Sequence, residues 1–108
     1  MNEYDAMQCV GPGWAPLIRA FYGTIAYNQH LYSNVKVQQV KEKFGGLRIY
    51  FSGGDSWLVG NVNGLGIASY LLCEYCGRAG FLRQDLGWVK TLCDGCYSAR
   101  SATTRKAK

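Results

Sequence analysis

Two short units, Cys73-Glu74-Tyr75-Cys76 and Cys93-Asp94-Gly95-Cys96, constrain this chain more than any other feature: they form two Cys-x2-Cys pairs separated by sixteen residues. A two-residue gap lets both sulfurs of a pair turn toward one point, and four thiolates at about 2.3 Å satisfy the tetrahedral preference of Zn2+. Gly77, directly after the second cysteine, suits a tight knuckle because it reaches positive φ without a Cβ clash. Four sulfurs leave no coordination position for water or substrate, so the expected ion is a single structural zinc held by Cys73, Cys76, Cys93 and Cys96. A redox-active pair and a structural disulfide are the competing readings. The first lacks a thioredoxin-like strand and helix context. The second fits poorly with five cysteines, Cys9 being the odd one, and with a reducing compartment.

Between the pairs, "FLR" and "WVKTL" read as short strands joined across Gln84 to Gly87, and "CDGCYSARS" can begin a helix. Knuckle, hairpin and ligand-bearing helix make a treble clef; a zinc ribbon is the close alternative, and helical character over Tyr97 to Ser101 decides between them. Upstream, Trp14, Leu17, Ile18, Phe21 and Ile25 recur at helical spacing, predicting a helix from Trp14 to Tyr27 with Pro16 tolerated in its first turn. "NVKVQQV" alternates at Val35 and Val37 but Val40 changes parity, implying a bulge or strand end near Gln38. In "LRIYF", Leu47, Ile49 and Phe51 alternate with Arg48 and Tyr50, giving a half-buried strand, and Gly45 and Gly46 between the two strands complete a hairpin. Ser56 to Leu72 approximates a second amphipathic helix through Leu58, Val62, Leu65, Ser69 and Leu72, weakened by Gly60, Gly64 and Gly66 at ~1 kcal/mol each relative to Ala. The fold class is therefore α+β: an N-terminal helix on a β-hairpin, a second helix, and a C-terminal treble-clef or zinc-ribbon module.

A chain of 108 residues buries one core, so residues 1–99 are expected to form a single zinc-binding domain, with the zinc module over 73–100. Of 12 basic groups, four lie in residues 100–108 with no acid among them, which leaves 8 basic against 7 acidic groups in the body. Residues 100–108 thus read as a basic, disordered tail. Four thiolates and one Zn2+ would carry the body from +1 to −1, which weakens a purely electrostatic case for nucleic acid. Asn2, Glu3, Tyr4 and Asp5 stand where a signal peptide needs basic and apolar blocks, and no run approaches the ~18 apolar residues of a membrane span. The expected location is the cytoplasm.

The hairpin stretch "VKEKFGGLRIYFSGG" gathers Lys41, Lys43 and Arg48 around Phe44, Gly45 and Gly46. These six are the candidate binding residues: the glycine N–H groups can form an anion-binding concavity, and Phe44 can anchor a partner. The plainer reading is a solvated turn with Phe44 folded into the core. Trp14, Trp57 and Trp88 offer a base-stacking platform or, more simply, core packing. Tyr22, Tyr27 and Tyr32 are the expected exposed aromatics. His30, the only histidine, falls near the end of the first helix, where interaction with the helix dipole is the plain explanation. Glu74 and Asp94 each follow a ligand cysteine and are expected to be solvated, and Cys9 to be a partly buried free thiol. A metal-dependent nuclease would need His or acidic ligands beside the cysteines, so no catalytic residue is assigned.

Taken as a set, "GPGWAPLIRA", "VQQVKEKFGGLRIYFSGG", "CEYCGRAG" and "GWVKTLCDGC" resemble a family of short bacterial, prophage and phage proteins, in the same order from about Cys9 to Cys96. The resemblance implies a compact domain with a four-cysteine zinc site and implies no reaction. The Gly-rich "VGNVNGLG" departs from the family's more strongly helical pattern. The resulting expectation is a non-catalytic, zinc-stabilised accessory factor that recognises a host or cellular protein. DNA or RNA binding through the hairpin and tail, and sequestration of a nucleotide signal, are the alternatives.

Overall fold

The computed structural model describes the backbone of residues 1–106 and the side chains of residues 1–100. Helix α1 (Glu3–Met7) starts at Asn2, whose side chain accepts from the Asp5 N–H at 2.8 Å. A 3-10 turn over Pro12–Trp14 leads into α2 (Ala15–Tyr27), whose first turn holds Pro16 where a missing N–H breaks no helical bond. Leu17, Ile18 and Phe21 bury one stripe of α2 beside Trp14. The first helix thus runs as the periodicity predicted, to within a residue at its start. Exposed His30 sits on a separate short helix, α3 (Gln29–Tyr32).

Strands β1 (Lys36–Lys43) and β2 (Gly46–Ser52) pair antiparallel, and their register slips between Val37 and Gln39. The extra residue there is the expected bulge, and it lets Val37 and Val40, of opposite parity, both reach the core. The connecting turn is Phe44-Gly45 rather than Gly45-Gly46: both of these residues have positive φ, 52° and 84°, as a two-residue hairpin turn of the right twist demands. That geometry holds Phe44 at the tip, where it is 67% exposed instead of folded into the core.

Helix α4 (Ser56–Ser69) is capped by Asp55, which accepts the Leu58 N–H at 2.9 Å and the Tyr32 hydroxyl at 3.0 Å. With its hydroxyl satisfied, Tyr32 is buried, contrary to its expected exposure. Leu58 and Ser69 are buried and Val62 and Leu65 pack on the core, so tertiary contact offsets the weak intrinsic propensity of a three-glycine helix. The helix stops short of Leu72, which instead forms a bridge with Ala79. Trp57 points away from the stripe set by Leu58 and is exposed. Trp88 lies outside the strand, in the loop before it, and is also exposed. Of the three tryptophans only Trp14 packs in the core.

The last third holds a second two-stranded sheet, β3 (Phe81–Arg83) with β4 (Lys90–Leu92), followed by α5 (Asp94–Lys106). Beyond residue 100, the side chains of the basic tail lie outside the described residues. Among the described residues two apolar clusters result: a large one from α1, α2, the first hairpin and α4, and a small one whose buried members are Cys73, Leu86 and Leu92. Among the described residues no helix is long and apolar enough to cross a membrane.

Phe44 is a bulky residue in a left-handed conformation that costs a side-chain-bearing residue about 1–2 kcal/mol. Asn tolerates that conformation and the Phe44 ring is exposed, so Phe44→Asn is expected to raise stability by about 1 kcal/mol in urea denaturation.

Candidate metal centre and its joint to the hairpin

The first cysteine pair sits in a knuckle. The Cys73 N–H donates to the Arg78 carbonyl at 2.8 Å and the Gly77 N–H returns to the Cys73 carbonyl at 3.0 Å, a reversal that Gly77 closes with φ 77°. The second pair straddles the start of α5. Cys93 precedes the helix and Cys96 lies in its first turn, with the Cys96 N–H pointing at Cys93 Sγ at 3.4 Å. Arg100 of α5 places its guanidinium 3.8 Å from the centre of the Tyr75 ring, between the two cysteines of the knuckle, and so ties the helix to it. Arg83 on β3 likewise stacks on Tyr97 at 4.2 Å and pairs with Asp94 at 2.8 Å.

These elements bring all four sulfurs within 4.8 Å of one another, with Cys76 Sγ and Cys93 Sγ 3.4 Å apart. A tetrahedron of sulfurs about 2.3 Å from a central ion has edges of about 3.8 Å, so the four residues can hold one metal ion. Their proton affinities point the same way. Burial acts to raise the Cys73 thiol, but backbone N–H groups of Cys93, Cys76 and Tyr75 outweigh it and bring the group down to about 6. Cys96 is pushed up to about 12, first by its hydrogen bond to the Cys93 sulfur and then by burial. Sulfurs this close cannot all ionise without a cation between them. Cys9 lies elsewhere, exposed, with its thiol 3.3 Å from the Asp5 carbonyl, rather than partly buried.

Glu74, expected to be solvated, is instead buried at the centre of a joint. Its carbonyl accepts the Gly13 N–H at 2.7 Å and its carboxylate accepts the Gly11 N–H at 3.1 Å, fastening the knuckle to the loop before α2. Trp14 adds an indole N–H bond to the Leu72 carbonyl at 3.0 Å. Backbones approach so closely here that a Cβ on Gly13 would come within 2.0 Å of the Cys73 carbonyl oxygen. Asp94, by contrast, is solvated as expected.

The six candidate binding residues of the hairpin divide between this joint and the surface. Gly45 and Gly46 are buried. The Gly45 N–H donates to the Glu42 carboxylate at 2.7 Å, and its carbonyl accepts the Thr91 hydroxyl at 2.6 Å, so the turn is spent on internal contacts rather than on an open anion cradle. Lys90 spans the seam, 3.1 Å from Glu42 and 3.2 Å from Glu74. Lys43 and Phe44 remain exposed at the tip. Lys41 and Arg48 stand opposite each other across the strands, with Arg48 hydrogen-bonded to the Tyr70 hydroxyl at 3.3 Å.

Glu42, Lys90 and Thr91 escaped the sequence reading, since their partners lie up to 48 positions away and carry no local pattern. A second unforeseen feature is a groove of about 540 Å³ between β2 and α4, lined by Leu47 to Phe51 on one side and by Val59, Asn63, Gly66 and Ile67 on the other. Compared with known proteins, the chain matches no family model, no curated protein and no solved structure.

Burial draws the Lys90 ammonium toward neutrality, but Glu42 and Glu74 hold it above the ordinary lysine range. Its folded value is raised, so the stabilisation is complete below the unfolded lysine value and fades only as strong alkali passes the folded one. Lys90→Met leaves Glu74, 4% exposed, without its counter-charge and is expected to cost about 3 kcal/mol at neutral pH in urea unfolding. Adding Glu74→Gln should recover part of the loss. Cys93→Ser, or removal of metal by a chelator, is expected to abolish amide protection across residues 73–100 in hydrogen exchange, because ions of this class contribute ~10–16 kcal/mol to small folds.

Proposed function

We propose that this protein is a zinc-stabilised recognition module whose partner is another protein. The observation that carries this reading is the closure of the metal site: four sulfurs crowd one point and fill a tetrahedral ion's positions, so the ion organises the chain and takes no part in chemistry. Zinc is the ion that this donor set favours, as a redox-silent cation served by four thiolates. The order of knuckle, β3–β4 hairpin and a helix carrying Cys96 in its first turn favours a treble clef over a zinc ribbon.

Recognition then belongs to the surface that the metal does not organise. Val59 and Ile67 are exposed on α4 and line the groove, and apolar exposure at a concavity is the usual mark of a partner site. The hairpin supports the nucleic-acid reading less well: Gly45 and Gly46 are buried in the joint, which leaves Lys41, Lys43 and Arg48 without the backbone N–H groups of an anion cradle.

Affinity capture with the metal-loaded protein tests this reading. A bound protein is expected to survive nuclease and high salt. Loss of all bound material on nuclease treatment, with a steep fall in affinity as salt rises, would establish nucleic-acid binding instead.

A further inference from the structure

The groove between β2 and α4 exposes an unfinished sheet. In a two-residue hairpin the pair flanking the turn, here Lys43 and Gly46, exchanges its hydrogen bonds between the two strands, and alternate residues beyond it turn their N–H and C=O outward. Leu47 is the first such residue, and its N–H does point outward, donating to the Ser69 hydroxyl on α4 at 2.9 Å. Ile49 is the next, opposite Val40. Among the described residues nothing outside the hairpin bonds to Ile49, and the groove opens there. A backbone donor and acceptor thus face a concavity floored by apolar side chains.

Among the described residues, Arg48 is the one Lys, Arg, Asp or Glu that lines the groove. It takes part in none of the ion pairs of the described residues, which join Arg83 to Asp94 and Lys90 to Glu42 and Glu74. Lys41, its cross-strand neighbour, adds a second positive charge. Gly66 keeps α4 close to β2 at the Leu47 end of the groove, since a Cβ there would lie 3.3 Å from the Leu47 carbonyl oxygen.

We infer that the groove takes an extended peptide segment of a partner protein as a third strand beside β2, with apolar residues toward Val59 and Ile67 alternating with an acidic residue that pairs with Arg48. Strand addition supplies main-chain bonds at Ile49 and reads alternate side chains, one set against the helix and the other along the Arg48 side. A second copy of the chain is a poor occupant. Neither β2 nor α4 carries an acidic residue, so pairing of two such edges would bring Arg48 toward like charge with nothing to neutralise it.

The inference rests on the protein-recognition reading above, and its test separates the two. Metal-loaded protein is titrated with three synthetic heptapeptides: alternating Val and Glu, alternating Val and Lys, and the Val–Glu peptide with a central Pro. The expected result is binding of the Val–Glu peptide alone, with about tenfold slower exchange of the Ile49 amide. Arg48→Glu should weaken that binding about tenfold and shift preference to the Val–Lys peptide, while Arg48→Lys retains it. Asn63→Trp, which fills the groove from the exposed side of α4, should abolish binding with metal content and amide spectrum otherwise intact. Failure of all three peptides to bind, equal binding of the Pro peptide, or an Ile49 amide that exchanges unchanged would each overturn the inference. So would sedimentation of the free chain as a dimer that Asn63→Trp dissociates. If nuclease-resistant protein capture persists with Asn63→Trp, protein recognition stands and the groove is not its site.

Discussion

The convergence of four cysteine sulfurs on one point is the constraint on which the C-terminal third depends. Among the described residues, the buried apolar side chains there besides Cys73 are Leu86 and Leu92. So few buried apolar side chains do little to offset the cost of ordering the backbone of residues 73–100, and hydrogen bonds in the knuckle and the β3–β4 pair shape the segment more than they stabilise it. A divalent ion held between the four thiolates would supply the missing stabilisation. Cys73 is held down to about 6 and Cys96 pushed up to about 12, opposite tendencies that a cation between the sulfurs would remove.

The four-cysteine module meets the rest of the protein through a polar joint rather than a continuous apolar core. Glu74, Lys90, Thr91 and Leu72 on the cysteine side meet Gly11, Gly13, Trp14, Glu42 and Gly45 on the other. Most of these bonds involve backbone groups or a buried carboxylate whose partners are fixed, so the two parts are oriented by geometry more than by apolar area. The arrangement also explains a local rule broken at Phe44. The turn must be tight enough to deliver the Gly45 carbonyl to Thr91, and the residue before Gly45 is therefore carried into a left-handed conformation that its side chain does not favour.

Periodic and short-range signals in the sequence translated directly into structure. Apolar spacing placed α2, the change of parity at Val40 placed the bulge, and the cysteine spacing placed the knuckle and the start of α5, because each depends on residues a few positions apart. The joint and the groove were illegible for the opposite reason. Glu42 reads as one more charge on a strand until Lys90 is brought beside it, and Glu74 reads as a solvated neighbour of a ligand until the loop before α2 takes both its carbonyl and its carboxylate. Burial of Tyr32 followed from a hydroxyl partner, Asp55, on a different element, while Trp57 and Trp88 were left outside by a helix phase and a strand boundary that neighbouring residues set.

A two-stranded sheet is marginal without further cover, and here α2 and α4 provide it on one side only. At Leu47 the helix meets the free edge of β2 and supplies Ser69 as a substitute partner; Ile49, the next outward-facing residue, has no such partner among the described residues and lines the groove. Natural sheets commonly protect such an edge with lysine, proline or a bulge. In this chain the bulge and three of the lysines lie on β1, the opposite strand, and β2 carries a lone arginine beside an apolar concavity. Nothing in the metal site or the joint requires that edge to stay open. An edge left bare, flanked by apolar side chains and by an arginine that joins no ion pair among the described residues, is what the proposed strand addition would use.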